Sequence, residues 1–342
     1  MLFDTTSICF ERQCPEGSAE HGYSAEHCSG RVQMVLGLLI SRDGMPVAHH
    51  VFPGNTADLA TFRSVSGDLK RRFPLRRMVI VADHGVVSEP LIEELELEGT
   101  EYIVGMPLRK WEEGRETALS RMGQYHQVKD NLRVKETKVN GHRYIVCHNP
   151  EEEEREKKER DSMVAILEER LSHGEQSGLI KCNGLERYLK IEEGEQAKVD
   201  REKVVEEARY DGKYVLRTNT SLPAEEVALD YNSLWQVEHA FRELRSGLEV
   251  TPVHLRTDIH VRGHIFVCFL ALVFEATLQR LLKNQGTKAG YREVMADLEQ
   301  LMAVRFEAKG KAWLWRTELQ GSAYEAFRAV GARPPSRVQP VA

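Results

Sequence analysis

"RMVIVADHG", residues 77–85, is the stretch on which the fold turns. Met78 to Ala82 run without a polar residue, and Asp83 closes the run. An apolar run with no alternation reads as a central strand covered on both faces. Before it, "DLATFRSVSGDLKRRF" (58–73) places Leu59, Phe62, Val65 and Leu69 at helical spacing. After it, "SEPLIEELELEG" (88–99) reads as a helix, with Ser88 as N-cap, Pro90 in the first turn and Gly99 as its stop. "EYIVGMP" (101–107) is then a further strand. Strands separated by helices pair in parallel, because a parallel pair needs a crossover.

Working outward, three strands precede this unit: "MLFDTTSICFE" (1–11), "RVQMVLGLLIS" (31–41) and "VAHHVFPG" (47–54). Asp43-Gly44 in "RDGMP" marks a hairpin turn between the last two, and the tight linkage predicts antiparallel pairing. The fold class is therefore α/β, a mixed sheet with flanking helices. Past Met106 the pattern changes. "VKETKVNGHRYIVCHN" (134–149) predicts a hairpin turning at Asn140-Gly141, a charged helix follows over about 150–173, and "GKYVLRT" (212–218) is a strand. Residues 107–222 are read as an inserted α+β subdomain between a core of residues 1–106 and its helical second part, 223–285. Residues 286–342 are read as a helical region ending in a disordered tail, "ARPPSRVQPVA". "DIHVRGHIFVCFLALVFEATLQRLL" (258–282) is expected to be the most buried helix.

The chain has 342 residues, 41% hydrophobic and 29% charged, with a net charge of −6. No run of about 18 purely apolar residues predicts a membrane span. "MLFDTTS" lacks the basic and apolar regions of a signal peptide, so a cytoplasmic protein is expected. Six cysteines include no C-x-x-C pair, and Cys14, His21, His27 and Cys28 match no standard zinc spacing. Reduced thiols are the expectation.

"YNSLWQVEHAFRELRS" (231–246) reads as an amphipathic helix. At about 100° per residue, Leu234, Val237, Phe241, Leu244 and Leu248 form its buried face. Tyr231, Arg242 and Arg245 fall near Glu238, on the rim of that face. Glu238 has a plain reading, an i, i+4 surface pair with Arg242 worth about 0.3–0.5 kcal/mol. Two further acids ask for a reason. Asp4 interrupts the first strand, although Asp is depleted in strands. Asp83 ends the buried one, facing the crevice where open sheets bind ligands. Each is also readable as a turn or cap acid.

On these blocks the chain resembles the DDE transposases of bacterial insertion sequences. It is most similar to the branch with a Y-x2-R-x3-E-x6-K signature. The resemblance runs through "LFDTTSICFE", "GYSAEHCSGRVQMVLGLLISRDGMPVAHHVFPGNTADLATF", "VIVADHGVVS", "YDGKYVLRTN" and the segment from Tyr231 to Leu272, most of residues 1–280. It implies a ribonuclease H-like fold with an insertion before the catalytic helix. It also implies Asp4, Asp83 and Glu238 as catalytic, metal-binding acids, with Tyr231, Arg242 and Arg245 meeting DNA. Arg245 stands at the signature's Lys, and Leu234 at its Arg.

The resemblance implies two Mg²⁺ ions, with Mn²⁺ as substitute, a chemistry suited to hard carboxylate ligands. It further implies cleavage at element ends and attack of the freed 3′-hydroxyl on target DNA. A homodimer working at the nucleoid is expected, with no membrane partner. Family members usually carry an N-terminal domain that binds terminal repeats, and the first acid here is residue 4. The expectation is thus an N-terminally truncated catalytic domain, which would account for the acidic net charge. A second reading stays open: an inactive remnant that binds subunits, or DNA weakly.

Overall fold

The computed structural model describes residues 1–10, 20–21, 32–56, 65, 67–68, 71–72, 78–83, 88–108, 119, 123–173, 186–190, 197–251, 253, 255 and 257–341. The helix expected over 58–73 lies largely outside them, as do Cys14, His27, Cys28 and most of the basic "KRRFPLRR" (70–77). Along the chain the described elements begin with β1 Leu2–Cys9, β2 Glu20–His21, β3 Val32–Ile40, β4 Pro46–Pro53, β5 Val79–Ala82, α1 Glu89–Leu97 and β6 Glu101–Met106. There follow β7 His126–Lys129, β8 Leu132–Val139, β9 His142–His148, α2 Pro150–Ser172, β10 Leu189–Lys190, β11 Lys198–Val199, α3 Arg201–Ala208 and β12 Lys213–Thr218. The last group is α4 Ala224–Asn232, α5 Trp235–Arg242, α6 Asp258–Asn284, α7 Tyr291–Glu299, β13 Ala303–Ala308, β14 Lys311–Arg316, α8 Ala323–Ala329 and β15 Val338–Pro340.

Two compact units divide the chain. Unit 1 holds Met1–Leu2 and Phe62–Leu234, and unit 2 holds Phe3–Thr61 and Trp235–Ala342.

In unit 1 the strands lie in the order β5-β6-β12-β9-β8-β7. The apolar run from Met78 becomes β5, with Ile80, Val81 and Ala82 buried. It pairs in parallel with β6, Val79 opposite Glu101 and Ala82 opposite Val104, and α1 makes the crossover. The start of β1 docks on the other side of β5. Leu2 pairs in parallel with Val81, and the Met1 ammonium donates to the Val79 carbonyl at 2.8 Å. The β8–β9 hairpin turns at Asn140 and Gly141, with φ of 50° and 84°. Both residues hold the left-handed conformations that a two-residue hairpin needs.

Strand β12 pairs antiparallel with β6 on one side and β9 on the other. The strands of the stretch read as an insertion therefore extend the sheet that begins with β5 and β6. Helix α2 carries its own small core, Leu167 and Tyr188 with Met163, Leu171, Leu189, Val199 and Val204. It is also held by a buried ion pair between Arg160 and Asp211.

In unit 2, β3 and β4 form an antiparallel hairpin from Met34–Pro53 to Ile40–Pro46. Strand β1 lies beside β3. Nearly every residue of β3 is buried, as its apolar run predicts. A hairpin next to β1 and parallel strands joined through a helix make this a mixed α/β sheet with flanking helices.

Two expectations change here. Helix α6 is not the most buried. One face seats Val261, Ile265, Cys268, Leu272 and Leu282, while Ile259, Phe266, Val267, Leu270 and Phe274 are exposed. It is also long and apolar enough to cross a membrane by length and composition. An apolar stripe all round a helix had been read as burial, but its buried partners line one side only. The tail is not wholly disordered either. Val338–Pro340 pairs with β14, Trp313 opposite Pro340 and Trp315 opposite Val338, because an open β14 edge gives the segment a hydrogen-bonding partner.

Candidate active site

Asp4 stands in the middle of β1, half-buried, and its Oδ1 accepts the Thr5 amide at 2.8 Å. Glu238 projects from α5 and is exposed. The two acids line one cavity of about 370 Å³ in unit 2, together with Thr5, Thr6, Phe241, Arg242, Arg245 and Ser246. Arg242 is exposed, and the Arg245 guanidinium donates to the Thr6 hydroxyl. The helix anchors this face by burying Val237, Ala240 and Phe241. After Arg242 the coil widens to a π-turn over Glu243–Gly247, closed by the Leu248 amide on the Glu243 carbonyl at 2.8 Å. Such turns collect at functional sites.

The helix expected through 231–246 is broken. Helix α4 ends at Asn232 and α5 begins at Trp235. Ser233 bonds backward, its Oγ donating to the Leu229 carbonyl at 2.9 Å, and the Leu234 amide turns to the Tyr231 carbonyl at 3.0 Å. A serine that satisfies the preceding turn competes with helix continuation. One helical wheel therefore cannot hold both Tyr231 and Glu238. Tyr231 belongs to unit 1, and Glu238 to unit 2.

In unit 1 Asp83 follows the last residue of β5 and is half-buried. The Tyr231 hydroxyl donates to Asp83 Oδ1 at 2.5 Å. Burial and then the Asp83 charge push the Tyr231 phenol far above its ordinary value, so it remains a donor. Its ring stacks on Tyr214 at 5.6 Å and 26°, and the Tyr214 hydroxyl donates to Asn232 Oδ1 at 2.7 Å. Gly105 on β6 makes the approach possible. A Cβ there would lie 2.3 Å from the Tyr231 hydroxyl and 3.1 Å from Asp83 Oδ1. Tyr231, expected to meet DNA, thus gives its hydroxyl to an acid.

Sequence reasoning singled out neither Gly105 nor Tyr214. A glycine inside the strand "EYIVGMP" is the signal that would have found the first, since strand glycines mark close approaches. It also missed a larger cavity of about 570 Å³ in unit 2, lined by Trp235, His239, Glu243, Glu275, Arg280 and Lys283 among others. Glu243 and Glu275 are buried there. Glu243 is paired with Arg292 at 3.0 Å.

Residues 1–274 match the family model of the transposase DDE domain. The chain belongs to this family. DDE transposases as a family generally use divalent metal ions. A solved piggyBac transposase, seen by cryo-EM as a synaptic complex with hairpin DNA, is similar over 87% of this chain and 51% of that one. The TM-score is 0.42 and the identity 10%. The transposase domain thus spans about half the length of that protein. No curated protein matches the chain.

The carboxylate oxygens of Asp4 and Glu238 suit a hard divalent ion, and the described residues lining their cavity include neither His nor Cys. Among the described residues no three His, Cys, Asp or Glu side chains form a group able to hold a metal. The Asp4–Glu238 cavity is a two-acid site.

Proposed function

We propose that the chain is the catalytic domain of a transposase that cleaves DNA at element ends and joins the freed 3′-hydroxyl to target DNA. The observation that carries this reading is the cavity where Asp4 and Glu238 stand beside Arg242 and Arg245. Two carboxylates and two guanidiniums are the pairing that a metal-bound phosphodiester requires. Asp4, Asp83 and Glu238 would hold two Mg²⁺ ions, or Mn²⁺ in their place. Metal held there would supply Lewis-acid activation of a water or 3′-hydroxyl and charge stabilisation at the leaving oxygen.

The chain's own residues do the rest. Tyr231 fixes the orientation of the Asp83 carboxylate by donating to Oδ1. Thr6 holds the Arg245 guanidinium, which with Arg242 meets the phosphate charge. The catalytic core comprises residues 1–106 and 223–285 with 107–222 inserted, and it works as a homodimer on nucleoid DNA in the cytoplasm, with no membrane partner.

The test is nicking of supercoiled plasmid by the full chain. Mn²⁺-dependent nicking that EDTA stops is the expected result. Asp83→Ala should lower the rate by at least about 100-fold, far more than Tyr231→Phe, which removes the same hydrogen bond but keeps the acid. An Asp83→Ala protein that still nicks would overturn the metal assignment. A wild-type chain inert with every divalent ion would favour the remnant reading.

A further inference from the structure

The family match ends at residue 274, and the three-stranded sheet β13-β14-β15 lies beyond it. The hairpin turns through Lys309 and Gly310, with φ of 52° and 69°. Its register sets Phe306 opposite Trp313 and Val304 opposite Trp315. Trp313 and Trp315 in turn face Pro340 and Val338. Directly paired residues of antiparallel strands project to the same side. One face therefore carries Val304, Phe306, Trp313, Trp315, Val338 and Pro340.

That face is turned to solvent. Val304 is 59% exposed, Phe306 41%, Trp315 49% and Val338 48%. Trp313 is half-buried, as are Ala312, Leu314 and Arg316 on the opposite side of β14, while Ala303, Arg305 and Glu307 on the opposite side of β13 are exposed. A sheet normally buries its aromatic side and leaves the polar side wet. Here Val304, Phe306, Trp315 and Val338 are left in solvent on one face.

The sheet's charge is the reverse of the chain's. Residues 303–316 contain Arg305, Lys309, Lys311 and Arg316 against Glu307 alone, in a protein of net charge −6. Lys309 and Lys311 flank the aromatic face at the turn. Lys311, paired with Ala308, projects to the same side as the aromatics, whereas Arg305 and Arg316 project to the other. Trp313 and Trp315 are two positions apart, about 7 Å along the strand, a spacing suited to successive bases of an extended strand.

We infer that this sheet face binds single-stranded DNA, with unpaired bases stacking on Phe306, Trp313 and Trp315 and the backbone lying along Lys309 and Lys311. Aromatic side chains on a sheet stack bases without sequence preference. Stacking needs base faces, which a duplex hides. The surface acts independently of the acids, so its test is run in EDTA, where metal-dependent cleavage is silent.

The full chain is titrated with fluorescein-labelled oligothymidylate and with a duplex of equal length, reading anisotropy and tryptophan quenching. Oligothymidylate should bind more tightly than the duplex and quench the tryptophans. Trp315→Ala and Phe306→Ala should each weaken it by about tenfold. Lys311→Glu at the turn, away from any core, should also weaken it. Glu238→Gln, which should abolish nicking, should leave the oligonucleotide affinity unchanged, so failure of the acid site and failure of this face are told apart. Equal affinity in wild type and the Trp315→Ala/Phe306→Ala double variant overturns the inference. So does sedimentation showing that these variants turn a dimer into monomers while oligonucleotide affinity stays the same, because a second copy would then cover the face.

Discussion

At the scale of single residues, two placements make measurable claims. Gly105, Tyr231 and Asp83 form a contact in which one added methyl has no room. Gly105→Ala should cost about 1–3 kcal/mol in denaturant unfolding. Tyr231→Phe should cost about 1.5–3 kcal/mol by removing a bond to a charged group. The two should not add. Without the hydroxyl, the nearest atom to the new Cβ is the ring carbon at 3.0 Å rather than the oxygen at 2.3 Å, so Gly105→Ala should cost less in the Tyr231→Phe background.

Glu275 makes a claim about pH. Burial, and then the Glu243 carboxylate, push it above its ordinary value of 4.5, against the opposing pull of His239, Arg292 and Gln279. Its charged form is disfavoured in the folded chain. Its contribution is therefore fully present below pH 4.5 and is lost as pH rises through the raised value. Glu275→Gln should melt higher than wild type at pH 8, and the difference should vanish towards pH 4.

At the scale of elements, α2 depends on a pair that no local pattern announces. Arg160 and Asp211 are 6% and 7% exposed. Asp211→Ala would strand a buried guanidinium and should cost about 3–5 kcal/mol in urea unfolding, more than removal of any surface pair on the same helix. Periodicity made most strands and helices legible, including β5 from its uninterrupted apolar run and the β8–β9 turn from Asn140-Gly141. What stayed hidden depends on distance in sequence or on a single hydroxyl. Tyr231 and Asp83 are separated by 148 residues, so nothing local links them. The break between α4 and α5 fits an amphipathic pattern on paper, and only the Ser233 back-bond shows it. Asp4 stood out because it interrupts a strand, whereas Glu238, which its helix alone reads as a surface partner of Arg242, was singled out through the family signature. Their shared cavity was not legible, since no composition rule brings a first strand to a distant helix.

At the scale of the whole molecule, the chain passes between its units at residues 2/3, 61/62 and 234/235. Neither unit is one continuous segment, so cleavage at any single loop cannot release either intact. The acid cavity draws Asp4 from the first strand and Glu238, Arg242 and Arg245 from a segment made much later. The route has a temporal consequence. A ribosome adds about 5–20 residues per second, and 173 residues lie between Thr61 and Trp235. The β1–β4 segment therefore waits roughly 10–35 s for its partner helices. During synthesis the two-acid cavity does not exist, and a prematurely terminated chain lacks one wall of it.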